Sequence, residues 1–168
     1  MLINDLQARS RPEPAKVLFL CGSNAAWSIM AEGLLRRAGR NRFLAFSAGL
    51  DPAPAVDAMT LEQLVHAGMA TDHCFTKSFR RFREDSLLPL DFIFSAMDLN
   101  EIGLAGDWPG DPLLVHWKIP DPMAFTGRVS GRRNRFRQVF SSLARRVDLI
   151  TALPLAKTLE LRFKQQAG

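Results

Sequence analysis

The sequence predicts an α/β fold, a three-layer sandwich around a central four-stranded parallel sheet. Four apolar runs of strand length, at 17–21, 43–47, 91–96 and 113–117, are each bounded by loop-forming residues. Stretches of helical periodicity alternate with them. Strands joined by helical crossovers pair in parallel, and the crossovers cover both faces of the sheet.

Each element has its own signal. The run VLFLC at 17–21 is apolar throughout, as a strand buried on both faces must be. Residues 28–38 bring Ile29, Met30, Gly33 and Leu34 near one helical stripe. A second helix is predicted over 54–67, with Val56, Met59, Leu64 and Val65 on its apolar side and Pro52 and Pro54 near its start. The clearest helix spans 130–148, where Phe136, Val139, Phe140, Leu143 and Val147 recur at i, i+3, i+4, i+7 and i+11. Pro154 separates it from a shorter helical segment at 155–165. Residues 1–15, polar and carrying Arg9, Arg11, Pro12 and Pro14, read as a flexible N-terminal arm, and 16–168 as a single domain.

The chain has 22 Lys and Arg against 17 Asp and Glu, a net charge of +5 that favours anionic partners. Its arginines cluster at 36–42, 80–83 and 128–137, where they read as solvated helix faces and loop ends. No aromatic residues interleave with them in the manner of a nucleic-acid module, so nucleic acid is disfavoured. Cys21 and Cys74 are the only cysteines and show no metal-type spacing with His66, His73 or His116. We therefore expect no metal, no cofactor and no disulfide framework, and a reducing cytoplasm. No segment approaches the ~20 apolar residues of a membrane span.

The site signal is the strand–loop–helix junction at Cys21. The small residues Gly22, Ser23, Asn24, Ala25 and Ala26 let the backbone curl so that its amides face a tetrahedral anion at a helix N-terminus. Asn24 tolerates a left-handed backbone. Ser28 is positioned to cap the helix and to donate to a thiolate. In such a field a cysteine becomes nucleophilic near neutral pH, whereas the plainer reading is an inert cysteine at the end of a strand.

With these residues in place, the chain resembles the low-molecular-weight protein tyrosine phosphatases, especially their arsenate reductase branch. The resemblance rests on Cys21, Asn24, Ala26, Ser28 and the segment 30–35, then Ser47-Ala48-Gly49, Trp108-Pro109-Gly110, His116-Trp117, and Ile119-Pro120-Asp121-Pro122 followed by Gly127. It implies a phosphotyrosine phosphatase I-like fold from about Lys16 onward. It also implies Cys21 as the nucleophile that attacks phosphorus and Asp121 as the general acid that protonates the leaving oxygen and later helps to activate water.

The departures from that pattern are specific. Trp27 occupies the position of the family arginine, whose planar fork suits two phosphate oxygens; an indole has a single neutral donor. Ser23 replaces a glycine. The reductase branch's two resolving cysteines fall at Met97 and Ala105, and Cys74 lies in a different segment, HCFTKS. We therefore expect low or lost catalysis with residual binding of a small oxyanion or phosphorylated ligand. One alternative is a working phosphatase of altered specificity in which Arg128 substitutes for the missing guanidinium. Another is a non-catalytic module for a protein partner, with Trp27 as an exposed anchor. Asp98 is expected to cap the chain after the third strand, His116 to pack or hydrogen-bond beside its own, and Met123 and Phe125 to line the site or pin its loop to the core.

Overall fold

The computed structural model of the protein describes residues 13–154. Four parallel strands form one sheet: β1 (Ala15–Cys21), β2 (Phe43–Gly49), β3 (Phe92–Ser95) and β4 (Leu113–His116), in the order β2-β1-β3-β4. The α-helices are α1 (Trp27–Gly39), α2 (Ala58–His66), the single turn α3 (Arg80–Arg83) and α4 (Val129–Ala152). The predicted α/β sandwich and its four-stranded parallel sheet are thus observed.

Central β1 explains the uniform hydrophobicity of its sequence, because it is buried on both sides. Val17, Phe19 and Cys21 face one apolar cluster, with α1, α4, Phe94 and Trp117; Leu18 and Leu20 face a second, with Phe79, Phe82, Ile93 and Trp108. The first face is roofed by helices. The second is covered by α3 and the chain around 97–108, which contains no long helix.

Several boundaries differ from expectation for local reasons. β1 begins at Ala15, inside the stretch assigned to the arm; this residue is buried and pairs with Phe43. The second helix starts at Ala58 rather than near 54, because Asp57 is its N-cap and accepts a hydrogen bond from the Met59 amide at 2.9 Å. The long helix continues to Ala152, five residues past Val147, where its clearest apolar repeat ends. The C-terminal helical segment expected at 155–165 and most of the arm lie outside the described residues. Among the described residues no helix is long and apolar enough to cross a membrane.

In this strand order the chain departs from β1 to one side to form β2, and β3 lies on the other. The carboxyl end of β1 is therefore the topological switch point, where ligands of open α/β sheets bind. Cys21 occupies it.

Candidate active site

The loop after Cys21 is held by its carbonyls. Leu50 N–H donates to the Cys21 carbonyl at 3.1 Å, Asp51 N–H to Gly22 at 2.9 Å, and Ala53 N–H to Ser23 at 2.9 Å. The Ala25 carbonyl takes both Asp57 N–H at 3.0 Å and the Thr60 hydroxyl at 2.8 Å. With the carbonyls turned outward onto the chain from 50 to 60, the opposite side of the loop presents amides. Those of Asn24 and Ser28 face the Cys21 sulfur. A concave row of N–H groups at a helix N-terminus is the local geometry of an anion cradle.

Asn24 has φ 51°, the left-handed region expected of it, and is fully buried. Its side chain is satisfied at both ends: Nδ2 donates to Ser28 Oγ at 2.8 Å, and Oδ1 accepts from the Lys77 backbone amide at 2.6 Å. Because Ser28 Oγ already accepts from Asn24, its own hydrogen is available to the Cys21 sulfur 3.0 Å away. Ser28 does not cap α1, contrary to one of its expected roles. The N-cap is Ala26, which has no side-chain oxygen, and Ser28 lies inside the first turn. Gly49, at the end of β2, backs the loop so closely that an added Cβ would lie 2.8 Å from Asn24 N and 2.9 Å from Gly22 O.

Asp121 joins this group from the opposite side. It caps a short 3-10 turn, Pro122–Ala124, by accepting the Met123 amide at 3.0 Å, and its carboxylate is near enough to the Cys21 thiol for each to shift the other's pKa. Burial raises its pKa, while the Met123 amide and the neighbouring thiol pull the other way. The thiol is pushed up to about 11, first by burial and then by the negative charge of Asp121; the Ser28 hydroxyl and the amides of Ser28 and Asn24 oppose this. The charged neighbour that shifts the thiol is thus an anion.

Trp27 is buried completely. Its ring meets Phe19 and Trp117 edge-on, with centroids 6.4 and 6.1 Å away, and its indole N–H donates to the Ile119 carbonyl at 3.1 Å. It is therefore no exposed anchor for a partner, and that expectation is corrected. The bulky ring fits because it leaves the loop for the core.

Arg128 precedes α4 and is exposed. Sequence reasoning missed Arg132, one helical turn further on. Its guanidinium bonds the Asp57 carboxylate and the Met123 sulfur and lies over the Phe136 ring. Arg132 thus bridges the segment that holds the loop to the turn that carries Asp121. Its i, i+4 relation to Phe136 was the available signal. Cys74 is half-buried and, like Cys21, a free thiol, with its pKa raised by burial and by Glu32. Asp98 accepts the Asn100 amide at 2.9 Å, as a capping residue does, while Met97 packs on the second core cluster. No group of three metal-ligating side chains occurs among the described residues.

Residues 16–162 match the low molecular weight phosphotyrosine protein phosphatase family. The chain belongs to that family. Among solved structures it is similar to the thioredoxin-dependent arsenate reductase of Corynebacterium glutamicum, with 20% identity and TM-score 0.61 over 93% of this chain and 67% of that one. An arsenate reductase from Archaeoglobus fulgidus aligns at 24% identity and TM-score 0.62, over 82% and 99% of the two chains. The tyrosine phosphatase Wzb from Escherichia coli K30, solved in complex with sulphate, aligns at 18% identity and TM-score 0.61, over 82% and 96%. No curated protein matches. The chain brings Cys21 and Asp121 together, and position 27 carries a buried tryptophan.

Proposed function

We propose that this protein is a phosphatase-family member with a degenerate phosphate loop, retaining oxyanion binding through its amides but with catalysis low or lost. One observation carries the reading: the side chain at 27, where the family's charge clamp belongs, is a neutral indole committed to the core. Attack on a phosphate ester brings a dianion to the thiolate. An aimed donor at that point is worth roughly 10²–10³ in rate, and a charged bidentate donor at least as much. The thiol is further disfavoured by a pKa near 11, so the attacking form is scarce at neutral pH.

The amide cradle supports the binding half of the proposal, and the similar Wzb structure holds sulphate. A disulfide relay of the reductase type has no support, since Met97 and Ala105 carry no thiol. The test is hydrolysis of p-nitrophenyl phosphate by the wild type and by Cys21→Ser, alongside titration with inorganic phosphate. We expect turnover at least ~10²-fold below that of arginine-bearing relatives, together with saturable phosphate binding. Ordinary family efficiency that disappears in Cys21→Ser would overturn the reading.

A further inference from the structure

α1 and α4 lie side by side over the first face of the sheet, and α2 packs on both of them. Leu64 of α2 seats so closely on α1 that an added Cβ at Gly33 would lie 2.9 Å from its Cδ2. Asp57 and Glu62 pair with Arg132 and Arg133 near the start of α4. α2 stops at His66, however, and farther along the same groove is a cavity of about 470 Å³. Leu34, Met69, Phe140, Ala144 and Val147 floor it, with Arg37, Arg40 and Asp148 at the rim. Met69, Phe140 and Ala144 pack on the core yet stay partly exposed. Among the described residues this apolar floor is left open.

The chain itself comes to this opening. Arg42 donates to the carbonyls of Thr151 and Leu153 and so fixes where the backbone leaves α4, a short way past Val147 and Asp148. Pro154 follows, where a helix cannot run on unbroken. The sequence then continues through 155–168, with Leu155, Leu159 and Phe163 at i, i+4 and i+8, and the family match extends into it as far as 162. We propose that residues 155–165 turn back at Pro154 and dock in the groove as a helix antiparallel to α4, with Leu155, Leu159 and Phe163 on its floor. The reach agrees: such a helix is about 16 Å long, and α4 rises about 18 Å between Phe140 and Ala152. A helix this short is marginal in water by itself, and burying its apolar stripe against the floor removes both from solvent. Because α1 begins at the Cys21 loop, the docked segment braces the far end of the helix that presents the loop amides.

The test is hydrogen exchange of the purified full chain, read by mass spectrometry against a free peptide of sequence 155–168. We expect the amides of 155–165 to exchange at least ~10-fold more slowly in the protein than in the peptide. Ala144→Glu sets a carboxylate on the floor, and Leu159→Asp sets one on the segment. Each should return 155–165 to the peptide's rate while β1 stays protected. If Ala144→Glu does not fold, Met69→Asp, in the chain after α2, charges the same floor and should act alike. Exchange at the peptide's rate in the wild type, or protection that survives the substitutions on the floor, would overturn the proposal. Protection that is lost on dilution, together with a dimer in sedimentation, would give the groove to a second copy and overturn it too.

Discussion

The indole N–H of Trp27 donates to the backbone carbonyl of Ile119, 3.1 Å away, and Ile119 stands two residues before Asp121. Trp27 thus has a structural function. It ties the Cys21 loop to the chain that carries Asp121, through a ring cluster shared with Phe19 and Trp117.

That packing predicts how position 27 responds to substitution. Trp27→Ala should cost about 3–5 kcal/mol of unfolding free energy, as large-to-small changes in packed cores do. Trp27→Phe, which keeps a ring and loses the hydrogen bond, should cost less. Trp27→Arg should be destabilised as well, because its guanidinium enters a space with no acidic partner in the ring cluster or must leave a cavity behind. Restored charge alone is therefore not expected to restore turnover. Urea denaturation midpoints check the order, and a Trp27→Ala midpoint equal to that of the wild type would contradict it.

The thiol supplies a pH prediction. Burial and the Asp121 carboxylate both disfavour the thiolate, so the folded-state pKa, about 11, lies above that of an ordinary cysteine thiol. At pH 7 the thiolate fraction is then roughly one in 10⁴. In a Cys74→Ser background, alkylation of Cys21 by iodoacetamide should accelerate tenfold per pH unit from neutrality up to about pH 11. Asp121→Asn removes the opposing negative charge and should shift that profile to lower pH. A profile that levels off near pH 7 would show that the thiol is ionised under ordinary conditions, against this geometry.

The fold was legible because its signals are local and strong. The unbroken apolar run of β1 and the repeat from Phe136 to Val147 each required burial in a way that left few alternatives. Cys21, Asn24 and Ser28 were legible for a similar reason: small residues between a strand and a helix have little else to do. What the sequence could not reveal was direction. Nothing in the string shows that Trp27 turns into the core, or that Ser28 faces sulfur instead of capping its helix, because both depend on neighbours far along the chain. Arg132 was hidden in the same way, since its partner Asp57 is 75 positions earlier.

Asn24 tests whether the loop conformation rests on its side chain. Asn24→Ala places a Cβ-bearing residue with no local hydrogen bond at φ 51°, and it leaves the Lys77 amide without its 2.6 Å acceptor. The backbone conformation costs roughly 1–2 kcal/mol and the orphaned donor roughly 1–3 kcal/mol. Asn24→Gly suffers only the second loss and should be the more stable of the two in thermal melts. If alanine and glycine variants melt together, backbone conformation at this position contributes little.

Gly49 supplies the most direct test of how the loop is backed. A methyl group there would stand 2.8 to 2.9 Å from Asn24 N, Gly22 O and Ser23 C, all of them backbone atoms with no rotamer to give way. The same residue is bonded through N–H and C=O to Lys77 and Phe79, so β2 cannot simply recede. Gly49→Ala must therefore displace the loop. We expect weaker phosphate binding and faster alkylation of Cys21, with far-UV circular dichroism close to that of the wild type. Ala48→Gly, one residue earlier and facing the other core cluster, should instead lower stability while leaving the Cys21 alkylation rate of the folded protein unchanged. Equal effects of the two substitutions on alkylation would mean that Gly49 does not shape the loop.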